Sequence, residues 1–385
     1  MNFLLPMYNG GSKLFTFHYS LLPIKMKSFL IVLLSIAAVI PSWAQEADDE
    51  VDLQALYQQI DEAIEQAPRY VTIRQGKIAD AQNALLSEGS MEKRFALAEQ
   101  LFELYHPYRN DSALYYADLC VAIADSLHRK DMEGLCLSRK ARQCSGVGLY
   151  VEALNLLEKV DKRALTREGL SKYYEACMHV YGELGSYSQQ PDNSISYFGL
   201  QDSYRDSVLA MAEEGSEEYL HLKMDVLTAR KLYQDALAVS DSWLGKVADG
   251  THEEAFAAFY RSVVYDKLDN HHQVRYWLGK SALDDIKCAV YDQASLFMLA
   301  ERLCEDGDYK RAYRYVRFCE ECNIAFSPQL RNYQVRYVAN VLEASYRDSQ
   351  ARYSKLLFIA TTGAILLLGV VALLLFRLFR KRHKE

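Results

Sequence analysis

Cys319 and Cys322 form a C-x-x-C pair, a spacing that suits thiol–disulfide exchange when a helix N-terminus depresses one thiol. Here the pair falls in the second helix of a repeat. An i, i+3 bridge strains regular helical geometry there, so the two read as core residues, with a redox role as the alternative. Cys120, Cys136, Cys144, Cys177, Cys288 and Cys304 lie on apolar helix faces and read as small core side chains. Eight cysteines permit disulfides outside the cytoplasm, but their pairing is not deducible from sequence. Glu305, Asp306, Gly307 and Asp308 resemble part of a calcium loop without its later ligands. His271 and His272 sit at a turn and read as solvated, and no second close pair of ligands completes a zinc site. No Gly-rich phosphate loop and no nucleophile elbow is present. No catalytic, cofactor-binding or metal-ligating residue is assigned. One stripe is left: Lys310, Arg311, Arg314 and Arg317, interleaved with Tyr309, Tyr313 and Tyr315. It reads either as a solvated helix, with Arg317 near Glu320 and Glu321, or as an anion- or peptide-binding patch on a concave surface.

The elements that carry these residues repeat. Gly148, Tyr150 and Ala153 match Gly307, Tyr309 and Ala312 as G-x-Y-x-x-A, and Tyr233 with Ala236 repeats the device behind Lys231. Gly closes one helix in a left-handed conformation, Tyr covers the turn, and Ala lets two backbones approach. Weaker copies put further anchors at Ala113, Ile195 and Val274, giving spacings of 40, 42, 41, 38 and 38 residues. A period near 40 on helical pairs predicts a tetratricopeptide-like solenoid of stacked hairpins. The chain is 385 residues long with 7 Pro, 18 Gly and 28 Tyr, scarce in breakers, and the fold class expected is all-α. Upstream of the array, apolar stripes predict helices over 51–66, 70–86 and 91–105, the first ended by Pro68.

Leu356–Phe376 reads LLFIATTGAILLLGVVALLLF, 21 residues without a charge, about 30 Å as a helix and long enough to span a bilayer. Arg377, Arg380, Lys381, Arg382 and Lys384 follow it as a cytoplasmic flank. Lys25 and Lys27 precede the apolar run FLIVLLSIAAVI and a small-x-small site ending at Ala44, which together predict a cleaved signal peptide. An uncut anchor is the weaker alternative. The net charge of −7 and the extracytoplasmic compartment disfavour nucleic acid as a partner.

The expected organisation is an over-extended start (1–25), a signal peptide (26–44), an N-terminal helical region (45–106), the repeat array (107–327), a membrane-proximal helix (328–355), the transmembrane helix (356–376) and a basic cytoplasmic tail (377–385). The segments LYQQIDEAIEQAPRYVTIRQGKIADAQ (56–82), RNDSALYYADLCVAIA (109–124), GLYVEALNLLEKVD (148–161), WLGKSALDDIKCAVYDQASLFMLAERL (277–303) and DGDYKRAYRYVRFCEECN (306–323) carry a resemblance. With them the chain resembles an uncharacterised family of bacterial single-span membrane proteins with extracytoplasmic tetratricopeptide repeats, regarded as transcriptional regulators. The resemblance implies a sensing or docking role for the repeats and a cytoplasmic output half, whereas this sequence stops nine residues after the span. The expected function is a membrane-anchored receptor or scaffold that binds a protein or peptide partner, with 45–355 outside the bacterial inner membrane. Homodimerisation stays open. The alternatives are a redox or metal-dependent enzyme using Cys319 and Cys322, a scaffold without signalling, or a sorting signal removed after insertion.

Overall fold

The computed structural model describes residues 24–188, 190–326 and 331–382. Most of the expected over-extended start, Pro328 and the end of the basic tail lie outside the described residues. Among those described there are fourteen helices and no strand. A long helix, α1 (Ile24–Ser87), precedes six helical hairpins: α2 (Met91–Tyr105) with α3 (Asn110–Ser126), α4 (Lys130–Gly146) with α5 (Tyr150–Glu158), α6 (Arg167–Tyr187) with α7 (Pro191–Met211), α8 (Glu217–Ala229) with α9 (Tyr233–Leu244), α10 (His252–Lys267) with α11 (His271–Lys287), and α12 (Ala294–Glu305) with α13 (Tyr309–Phe326). A second long helix, α14 (Arg331–Arg382), follows. The chain divides after Ala55, and everything from Leu56 onward forms one compact unit.

The turns explain the repeat motif. Among the described residues, eight in the connections lie in the left-handed region, and six of them share one turn: His128, Gly148, Lys231, Asp269, Ala289 and Gly307, with φ between 52° and 88°. In each, the N–H of the following residue donates to the carbonyl five positions back, as from Leu149 to Cys144 and from Asp308 to Leu303, both at 2.9 Å. The left-handed residue also donates three positions back, for example from Gly307 to Cys304 at 3.1 Å. These paired bonds satisfy carbonyls that a helix end leaves orphaned. In most of these turns the next residue then begins the following helix. The Leu149, Leu232, Asn270 and Asp308 carbonyls accept from Ala153, Ala236, Val274 and Ala312. The motif spacing is therefore one cap, one shared N-cap and one helical turn. The four donating anchors, Ala153, Ala236, Val274 and Ala312, are 0–3% exposed, and Tyr150, Tyr233 and Tyr309 are half-buried beside them.

Two expectations need correction. Pro68 does not end a helix, because α1 continues through it to Ser87. Proline removes one helical hydrogen bond, at about 3 kcal/mol, but α1 buries side chains on both sides of it. Ile60 and Ala63 lie ahead, and Ile78, Ala81 and Leu85 lie behind. Tertiary packing outweighs the local preference. Ile195 is likewise no anchor, being 71% exposed. In that hairpin the small residues sit on the first helix instead: a Cβ on Gly182 would fall 2.6 Å from Gln201, and one on Gly185 would fall 2.9 Å from Phe198.

The array closes on itself through α1. The Arg74 guanidinium donates to the Leu104 carbonyl at 2.7 and 2.9 Å and to the Cys288 carbonyl at 2.6 Å. Beside it the Tyr291 N–H donates to the Pro107 carbonyl at 2.8 Å, and the Tyr108 and Tyr291 rings stand 4.7 Å apart. Further along α1, Leu56 and Ile60 fill the space above Gly279, where a Cβ would meet Leu56 at 2.8 Å. Tyr315, fully buried, donates its hydroxyl to the Tyr57 carbonyl at 3.3 Å. At the other end, Tyr313 of α13 stacks on Tyr346 of α14 at 5.2 Å. Within α14, Gln350–Ala372 is long and apolar enough to cross a membrane, and none of it is buried.

Turn substitutions are expected to split by residue type. Gly307 has open space around it, so Gly307→Ala should cost about 1 kcal/mol through the backbone alone. Lys231→Gly should instead stabilise by roughly 0.5–1 kcal/mol. Ala153→Leu should cost about 1–3 kcal/mol by overpacking the α4–α6 core. Denaturant unfolding of the detergent-solubilised chain measures all three, and changes of the same sign at Gly307 and Lys231 would remove the turn argument.

Candidate functional site

The first helix of successive hairpins sends polar side chains toward a common inner face. Arg142 of α4 is its centre. This guanidinium acts electrostatically on His106 at the end of α2, Glu175 of α6, His221 of α8 and Tyr260 of α10. Of these, Glu175 is in direct contact with Arg142, at 2.8 Å.

Ion pairs and hydrogen bonds run between these helices in order. Glu99 of α2 pairs with Arg139 of α4. His106 Nδ1 lies 2.7 Å from Gln143 Oε1, and Gln143 Nε2 donates to Asn110 Oδ1 at 2.8 Å. Arg142 Nη1 donates to Glu175 Oε1 at 2.8 Å, while Lys172 holds the other Glu175 oxygen at 2.8 Å and reaches Glu218 of α8 at 3.2 Å. Ser145 Oγ meets His179 Nδ1 at 2.8 Å. The sequence of pairs ends in an aromatic group: the His221 ring lies 4.3 Å from Tyr260, 5.1 Å from Phe256 and 5.4 Å from Trp243.

Local environment sets the charge of each group. Burial pushes His221 down to about 4 and Tyr260 up to about 12. Burial also lowers His106, and the nearby Arg142 adds to the shift, so both imidazoles are neutral at pH 7 and offer one donor and one acceptor each. Burial works against the Glu175 carboxylate, yet Arg142 and Lys172 together hold it below the usual range. Phe256 is 36% exposed on the same face, and the buried Trp243 indole nitrogen has no hydrogen-bond partner among the described residues. The result is a near-neutral, hydrogen-bonding surface with an aromatic end.

The residues singled out in the sequence lie elsewhere. Arg314 donates to the Asp61 carbonyl and to Glu65 Oε1, both at 3.0 Å, and pairs with Asp61 Oδ1 at 3.2 Å. Arg311 lies over the Tyr57 ring at 5.0 Å and pairs with Asp308 at 2.7 Å. These two cations face α1. Arg317 pairs with Glu320 at 2.6 Å, and Lys310 is exposed at the start of α13. Cys319 and Cys322 are 2% and 4% exposed. Burial raises both thiols, Cys322 to about 12, and Cys319 Sγ contacts the Gln293 carbonyl at 3.7 Å. Asp306 and Asp308 are ion-paired to Arg275 and Arg311, and His271 lies 3.3 Å from Asp269. No group of three His, Cys, Asp or Glu side chains with metal-holding geometry exists among the described residues. The repeat-turn residues Gly148, Gly307 and their partners build the hairpin turns. The inner-face residues were not singled out by sequence, although the repeat register does tell which helix of each pair comes first.

A family model described as SusR N-terminal TPR domain matches residues 64–337. No curated protein matches the chain.

The neutral state of His221 predicts a pH dependence. An imidazole ordinarily titrates near 6.5, so a folded-state value of about 4 contributes stability that is fully present above pH 6.5. That contribution is lost as pH falls toward 4. Between pH 7.5 and 4.5 the parent should lose about 2 kcal/mol relative to His221→Gln. Denaturant unfolding of both chains at the two pH values checks it; a constant difference between them would show that His221 is not held neutral.

Proposed function

The chain belongs to the SusR N-terminal TPR domain family, and on that basis we propose that it is a membrane-anchored receptor binding a protein or peptide partner outside the cytoplasm. The inner face centred on Arg142 is the binding surface. One observation carries this reading: five helices from successive hairpins bring hydrogen-bonding groups and an exposed aromatic, Phe256, to one place. Neutral imidazoles, a phenol and paired charges suit a polar chain bearing an apolar side chain better than they suit a highly charged ligand.

The same reading makes the repeats the sensory half of a transmembrane regulator. Support comes from α13, which touches α1 through Arg311, Arg314 and Tyr315 and stacks on α14 through Tyr313. From there α14 runs without a break through the apolar Gln350–Ala372 stretch. A shift of the last hairpin on ligand binding is thus passed along a helix toward the membrane.

Two experiments test the parts separately. A photoreactive phenylalanine analogue at position 256 of the full chain, in its own cells, should crosslink a protein or peptide. The same analogue in place of Tyr115, exposed on α3, should not give that product; equal yields at both positions remove the inner-face assignment. For the anchor, a reporter active only in the cytoplasm should work when fused after Glu385 and be silent when fused at Arg347. Activity at Arg347 would reverse the placement.

A further inference from the structure

Cys120 of α3 and Cys136 of α4 stand symmetrically about the left-handed turn residue His128, eight positions before it and eight after. In two antiparallel helices joined by so short a turn, such positions face each other, each about 12 Å from the turn at 1.5 Å per residue. Both side chains are buried, at 3% and 2% exposure, within one cluster that includes Phe95, Ala98, Ile123 and Ala124. Both line the same small void together with Phe102 and Ala117. Both thiols are free in the structure, and Cys120 is the neighbour that acts most strongly on the Cys136 thiol. The other cysteines have different surroundings: Cys288 donates to the Gly250 carbonyl and Cys319 to that of Gln293.

We propose that Cys120 and Cys136 are joined by a disulfide in the mature protein, clamping the α3–α4 hairpin. The proposal rests on the placement of the repeats outside the cytoplasm, where such bridges persist. The oxidant is the active-site disulfide of an extracytoplasmic thiol oxidoreductase. One cysteine thiolate attacks that disulfide, forming a mixed disulfide and releasing one sulfur of the donor as a thiolate. The second cysteine then attacks the mixed disulfide at its own partner's sulfur, closing the Cys120–Cys136 bond. The donor leaves as a dithiol that has taken up two electrons and the two protons. In the folded chain the neighbouring thiol and burial keep Cys136 protonated, so exchange belongs to the open hairpin, before Phe95 and Ala98 of α2 cover it. Once closed, the bridge is shielded from reductants by the same residues.

The full chain, purified from membranes of cells that make it, is denatured with an alkylating reagent and no reductant. It is then digested with trypsin and weighed. Arg129 and Lys130 lie between the two cysteines, so the expected product is two joined peptides, unalkylated and lighter than their sum by two hydrogens. In Cys136→Ser the Cys120 peptide should appear alkylated. Alkylated thiols at both positions of the parent overturn the proposal, and refolding in oxidised glutathione then locates the fault. A bridge formed there leaves the geometry standing and removes the placement outside the cytoplasm; no bridge removes the geometry itself.

Discussion

Three hydrogen bonds from one guanidinium hold this molecule's repeats in a closed arrangement. Arg74 caps the C-terminal end of α2 at Leu104 and that of α11 at Cys288, residues 30 and 214 positions away in the chain. Cations at helix C-termini satisfy orphan carbonyls and oppose the partial negative charge there. Doing this for two helices at once joins the beginning of the array to its end. An open solenoid exposes an apolar face at each terminus and needs a capping element for both. Here α1 serves both ends: Ile78, Ala81 and Leu85 pack with α2 and α3, while Leu56, Ile60 and Tyr57 meet α11 and α13.

Closure also gives the inner face its character. First helices that would line an open groove are brought near one another, and Arg142 becomes a shared electrostatic neighbour of four helices. Charges partly withdrawn from water are costly unless paired. This face accordingly carries Glu99 with Arg139 and Glu175 with Arg142 and Lys172. Histidines without such partners shed their proton instead, as His221 does. The face that the first helices share is thereby polar without a large net charge.

The local grammar of the fold was legible in the sequence, and its long-range order was not. Gly148 and Gly307 advertise left-handed turns, and Tyr-x-x-Ala behind Lys231 repeats the pattern. Yet His128, Asp269 and Ala289 adopt the same conformation; His and Asp enter it more readily than most residues, and Ala does not announce it. The capping bonds and the buried neighbours offset a strain of about 1–2 kcal/mol at each. Pro68 misled because its cost is local while the burial of Ile60 and Ile78 is tertiary. Ile195 misled because the pattern fixes spacing but not which helix of a pair supplies the small residue; in that hairpin Gly182 and Gly185 do. Arg311 and Arg314 looked like a free cationic stripe, since nothing in a linear reading brings Asp61 and Glu65 to them from 249 or more residues away. The inner-face residues share this limit. His106, Arg142, Glu175 and Tyr260 have no motif of their own and acquire a relationship only when the hairpins stack.

Arrays of this kind ordinarily change in evolution by duplicating or deleting whole units, because each unit contacts only its neighbours. A chain whose ends are pinned by Arg74 and by the Tyr291–Pro107 hydrogen bond has lost that freedom. Inserting or removing one hairpin would rotate α11 and α13 away from α1, and the seat above Gly279 would no longer meet Leu56 and Ile60. The number of hairpins is therefore fixed by closure, while the lengths of individual helices are not. The 9-residue α5 beside the 21-residue α6 and α7 shows how unequal those lengths are inside a fixed count.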